Sequence, residues 1–106
     1  MSRRIVVAVL FFVASCRSAP APARTIEIEV SNLAFAMASV DVHVGDTVVW
    51  VNTDVFAHTA TARNGDWKVM LPPGERGSAI ITKAGTVEYY CELHPNMTAR
   101  VVATGR

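Results

Sequence analysis

Apolar and polar residues alternate with period two along much of this chain. Ile26, Ile28 and Val30 are interleaved with Glu27, Glu29 and Ser31, and Val40, Val42 and Val44 with Asp41 and His43. Successive side chains of a strand point to opposite faces, so each run predicts a strand with one buried and one wet face. Gly45-Asp46 then breaks the second run as a turn. Thr47-Val48-Val49-Trp50-Val51-Asn52 is nearly continuous in β-branched and aromatic residues, which predicts a central strand buried on both faces. Asp66 to Leu71 is a weaker strand candidate, stopped by Pro72-Pro73-Gly74. Ser78 to Thr82 and Thr86 to Tyr90 flank the turn Lys83-Ala84-Gly85, and Thr98 to Thr104 is the last run. No segment of useful length carries the helical period. About seven short strands with frequent turns predict an all-β fold, a Greek-key β-sandwich.

The N-terminus has a different pattern. Arg3-Arg4 precede an apolar run from Ile5 to Ala14, too short to span a membrane as a mature helix, and this reads as a secretory signal. Val13-Ala14-Ser15-Cys16 resembles a bacterial lipobox, in which the cysteine is lipidated and becomes the first mature residue. Ordinary cleavage near Ala21 or Ala23 is the alternative, and Ser2-Arg3-Arg4 is also a partial match to a twin-arginine signal. The expected organisation is therefore a signal peptide with lipobox over 1–16, a Pro/Ala-rich tether over 17–23 and a folded domain over 24–106. The protein is expected in the periplasm or another extracytoplasmic space, with membrane attachment through Cys16 if it is lipidated.

Composition narrows the function classes. At 51% apolar and 18% charged, the 106 residues are unlike a disordered chain. Loss of Arg3 and Arg4 leaves eight basic residues against nine acidic ones, a formal charge of −1. Neither a basic stripe nor an aromatic platform interleaved with Lys or Arg is present, so nucleic acid is not an expected partner. If processing consumes Cys16, Cys91 has no disulfide partner, and a lone thiol in an exported protein calls for a reason.

Metal ligation supplies that reason. Tyr89-Tyr90-Cys91-Glu92-Leu93-His94-Pro95-Asn96-Met97 places a thiolate, an imidazole and a thioether within seven residues after a predicted strand, donor types suited to one mononuclear copper ion. His58, thirty-three residues before Cys91, offers a second imidazole from another loop. Each residue also has a plain structural reading. Cys91 could be a small buried hydrophobe, Met97 core packing, His94 a surface histidine and His58 a satisfied core histidine. His43 is expected to face outward from its strand, away from any metal, and Met37 and Met70 are expected to be packing residues.

The spacing Cys91-x-x-His94-x-x-Met97, with Pro95 after the histidine, resembles the ligand loop of the amicyanin-like blue-copper proteins of the cupredoxin family. Val44-Gly45-Asp46-Thr47-Val48-Val49-Trp50-Val51-Asn52-Thr53-Asp54, followed by His58, resembles the family's strand leading to the first histidine. The resemblance implies a type 1 copper site of His58, Cys91, His94 and Met97 in a monomeric, non-enzymatic protein that carries electrons between a redox donor and an acceptor. Storage or delivery of copper with the same ligands is the alternative function. Two positions depart from the pattern. Relatives often have Asn after the first histidine, bonded toward the cysteine loop, where this chain has the shorter Thr59. Glu92 stands where a small hydroxyl residue is common, harmless if it faces solvent and favouring the oxidised state if it faces copper.

Overall fold

The computed structural model describes residues 2–11 and 22–105, and the described domain is built from nine strands. They are β1 (Thr25–Ser31), β2 (Ala34–Phe35), β3 (Ser39–His43), β4 (Thr47–Asn52), β5 (His58–Ala62), β6 (Lys68–Leu71), β7 (Arg76–Ile80), β8 (Gly85–Tyr90) and β9 (Thr98–Thr104). One sheet has the order β2-β1-β4-β7 and the other β3-β9-β8-β5-β6. The connections β2–β3, β3–β4, β4–β5, β6–β7 and β7–β8 pass from one sheet to the other, which gives the expected all-β sandwich. Strand β1 runs parallel to β4 and β3 runs parallel to β9, so each sheet joins distant parts of the chain. Residues 2–11, inside the predicted signal, are exposed and without regular structure, and no described helix is long and apolar enough to cross a membrane. Cys16 and residues 17–21 of the predicted tether lie outside the described residues.

The two additional strands are short or lack alternation. The two-residue strand β2 pairs with β1 through Ser31↔Ala34, leaving Asn32 and Leu33 as the turn. All five residues of β5 are buried, so no period-two signal marks it. In β4 the alternating pattern corrects the expectation of burial on both faces. Val48, Trp50 and Asn52 are buried, whereas Thr47, Val49 and Val51 are half-buried because the sheet's outer face is only partly covered. Met70 also departs from expectation: it is 60% exposed on β6, at the edge of its sheet, and Met37 is exposed as well.

An aromatic cluster fills the space between the sheets. Trp50 and Tyr89 are fully buried, their rings 5.5 Å apart, and Phe35 and Trp67 pack on Tyr89 at 4.7 and 5.3 Å. Trp50 Nε1–H donates to the Tyr89 hydroxyl at 3.3 Å, which satisfies a polar group the core would otherwise strand. Burial pushes the Tyr89 phenol up to about 12. At the Gly45-Asp46 turn, the buried Asp46 carboxylate accepts the N–H groups of Arg24 and His43, each at 2.8 Å, fixing where β4 starts.

Candidate metal centre

Two connections converge at one end of the sandwich. The first is residues 53–57, between β4 and β5. Asn52, the buried last residue of β4, shapes it: its side-chain N–H groups donate to the carbonyls of Phe56 and Leu71, both at 2.9 Å, and its oxygen accepts the Asp54 N–H at 2.9 Å. These bonds deliver His58 as the first residue of β5. The second connection follows β8. Cys91 N–H donates to the Met97 carbonyl at 3.1 Å and Met97 N–H to the His94 carbonyl at 2.9 Å, folding 91–97 into a tight loop before β9. Strands β5 and β8 are neighbours, with Thr61 opposite Tyr90, so His58 and Cys91 project from the same sheet end.

Among the described residues, His58, Cys91 and His94 form a cluster whose potential ligand atoms lie within 4.8 Å of one another. The two Nδ1 atoms are 3.1 Å apart, and each is 3.7 Å from the Cys91 sulfur. A trigonal first-row metal with bonds of about 2.0 Å to nitrogen and about 2.3 Å to sulfur would separate its nitrogens by about 3.5 Å and nitrogen from sulfur by about 3.7 Å. The triangle therefore fits such an ion without a change of loop. His58 and Cys91 are fully buried and His94 is half-buried. Met97 is 4% exposed at the end of the same loop. His43 stands apart, exposed on β3 as expected.

Several polar groups brace the triangle. Thr59 N–H donates to the Cys91 sulfur at 3.3 Å, and the Thr59 hydroxyl accepts the Glu92 N–H at 2.8 Å. The Thr61 hydroxyl backs Thr59 at 2.9 Å. Despite its shorter side chain, Thr59 thus reaches the cysteine loop. Glu92 pairs with Lys68 of β6 at 2.8 Å, both partly exposed, so its carboxylate is engaged at the surface. The Nε2 atom of His58 lies 2.8 Å from an Asp54 carboxylate oxygen. Backbone N–H groups, Leu33 above all, together with His58 hold the Asp54 carboxyl below the usual carboxylate range.

The candidate ligands were visible in sequence through donor type and spacing, but the roles of Asp54, Asn52 and Thr61 were not. The only local signal was the turn-forming run Asn52-Thr53-Asp54, which ends four residues before His58.

The chain matches the family of cupredoxin-like domains over residues 3–103. It belongs to the cupredoxin family. This cupredoxin is similar to the amicyanin of Paracoccus denitrificans, 29% identical over 86 residues, which cover 73% of this chain and 63% of that protein. It therefore spans less than two thirds of that relative's length. It is also similar to the amicyanin of Paracoccus versutus, 25% identical over 91 residues, covering 80% of this cupredoxin and 69% of the relative. Solved structures agree. A reduced tryptophan-to-tyrosine variant of amicyanin superposes with a TM-score of 0.67 at 27% identity, covering 76% of this chain and 82% of that one. A Cu(I) methionine-to-alanine variant gives 0.66 at 27% identity, with the same coverage.

Proposed function

We propose that this cupredoxin is a type 1 copper electron carrier, with one copper ion held by His58, Cys91, His94 and Met97. The observation that carries the reading is the convergence of two imidazole Nδ1 atoms and a buried cysteine sulfur, at 3.1 and 3.7 Å, on a point that two distant connections share. Bound copper supplies the one-electron Cu(II)/Cu(I) couple. The chain's part is to bind and restrain. The Cys91 thiolate and the His58 and His94 imidazoles would hold the ion, with the Met97 thioether as a weaker fourth donor. The bonds from Thr59, Asn52 and the closed 91–97 loop oppose any change of ligand position between oxidation states. Burial of Cys91 and His58 excludes water from the sulfur side.

The half-buried His94 ring is the route to a partner. Its neighbours Phe56, with the ring centroids 6.1 Å apart, and Leu93 are 53% and 55% exposed and form an apolar rim suited to brief contacts. Four ligating side chains leave no open position for a substrate, so we assign electron transfer between a redox donor and an acceptor rather than catalysis. The amicyanin likeness and the basic-then-apolar N-terminus support an exported, extracytoplasmic protein, with 1–16 as signal, 17–23 as tether and 24–106 as the copper domain. Mass spectrometry of the mature N-terminus distinguishes lipidation at Cys16 from cleavage near Ala21 or Ala23.

The visible spectrum of the Cu(II)-loaded domain tests the assignment. An intense thiolate-to-copper band is expected, lost in Cys91→Ser. Met97→Leu should keep the band and move the reduction potential; an unmoved potential removes Met97 from the ligand set. A colourless protein whose Cys91 is freely alkylated in the presence of copper defeats the reading. Ready transfer of the metal to an acceptor, without electron exchange with a cytochrome, would favour storage or delivery.

A further inference from the structure

Three groups meet on the carboxylate of Asp54. Oδ1 accepts the N–H of Asn32 at 2.8 Å, and Oδ2 accepts the N–H of Leu33 at 3.0 Å while lying 2.8 Å from Nε2 of His58. Asn32 and Leu33 form the β1–β2 turn, and both have left-handed backbone, with φ of 52° and 58°. Such a conformation is unfavourable for an L-residue and suits Leu poorly. It also turns two successive N–H groups toward one anion. From the other side, the Asp54 N–H is held by Asn52. The carboxylate is therefore fixed at both its backbone and its oxygens, and it cannot swing away from His58 without releasing the turn.

An ionised carboxylate only accepts hydrogen bonds. Contact with Asp54 thus requires the hydrogen of a neutral His58 ring to sit on Nε2, which leaves the Nδ1 lone pair directed toward Cys91 and His94. A negative charge bonded to a ligand also raises the basicity of that ligand and opposes the loss of positive charge when the ion is reduced.

We propose that Asp54 is the positioning residue of this metal centre: clamped by the Asn32-Leu33 turn, it fixes the His58 tautomer and biases the bound ion toward Cu(II). The second half rests on the copper reading above; the first does not.

Asp54→Asn and Asp54→Ala, compared with the wild-type domain, test both halves. Without metal, nitrogen NMR of His58 should show Nε2–H in the wild type and a mixture of tautomers in Asp54→Ala, whose Asn32 and Leu33 amides should exchange about tenfold faster. With copper, Asp54→Asn retains size and an accepting oxygen and should keep the blue band, with the preference for Cu(II) over Cu(I) falling roughly tenfold, an upward shift of about 59 mV. Asp54→Asn still decides the charge question if Asp54→Ala fails to fold. An unchanged or lowered potential in Asp54→Asn, or an unaltered tautomer in Asp54→Ala, overturns the corresponding half. A wild-type protein with no blue band instead overturns the copper reading and the charge half together, while the metal-free measurements still decide positioning.

Discussion

Thr59 shows how much of a site can rest on one hydroxyl. Its N–H reaches the cysteine sulfur and its oxygen receives the Glu92 N–H, so a single residue ties the histidine connection to the cysteine loop. Thr59→Val keeps shape and β-propensity but leaves the Glu92 N–H and the Thr61 hydroxyl without that partner. The expected loss is about 1–3 kcal/mol in urea denaturation of the metal-free domain, with faster alkylation of Cys91. Cys91, His94 and Met97 were legible as candidate ligands because soft and imidazole donors at short spacing are rare without a use, and His58 was legible through the resemblance of the strand that precedes it. At Thr59 the resemblance pointed to a bond toward the cysteine loop, which the fold makes across 33 residues, whereas the clamp on Asp54 was not legible because the Asn32 amide that helps to hold it lies 22 residues away. Local pattern carries no information about such pairings; only the folded registers bring them together.

At the scale of strands, alternation exposed β1 and β3 from sequence and failed for β5. A strand buried on both faces has no wet side, and His58–Ala62 is buried throughout. The reverse error occurred in β4, where β-branched residues signal strand formation and not the burial of both faces. Between β6 and β7 the limit is space. A methyl group added at Gly77 would overlap Cγ1 of Val69 and crowd Leu71 at 3.1 Å and the Met70 carbonyl at 3.2 Å. Gly77→Ala should therefore cost about 1–3 kcal/mol, seen as a lowered denaturation midpoint with an unchanged slope. A neutral result would mean that the sheets separate more easily at this corner than the packing implies.

For the molecule as a whole, the buried aromatic cluster sets an alkaline limit. The Tyr89 phenol holds its proton to about 12 in the fold against 10.0 for free tyrosine. As pH rises, the unfolded chain loses the proton first, so the raised value contributes full stability below pH 10 and less above it. The loss between pH 10 and 12 should be roughly 3 kcal/mol, and Tyr89→Phe, compared with wild type, should remove that slope. Metal acts on the same balance in the other direction. Copper at about a hundred times its dissociation constant should add about 2.7 kcal/mol, raising the calorimetric midpoint by on the order of 10–20 °C, and a chelator should reverse the rise.

The place of β9 has a consequence for biosynthesis. Among the described strands it is made after the other eight, yet it lies inside its sheet between β3 and β8, directly after the loop bearing Cys91 and His94. A nascent chain emerging from a ribosome or a translocon cannot close that loop against its sheet until β9 has emerged. Ion capture must then wait for that strand, and the thiol stays unguarded until it pairs, so the compartment in which β9 emerges decides which metal the centre meets first.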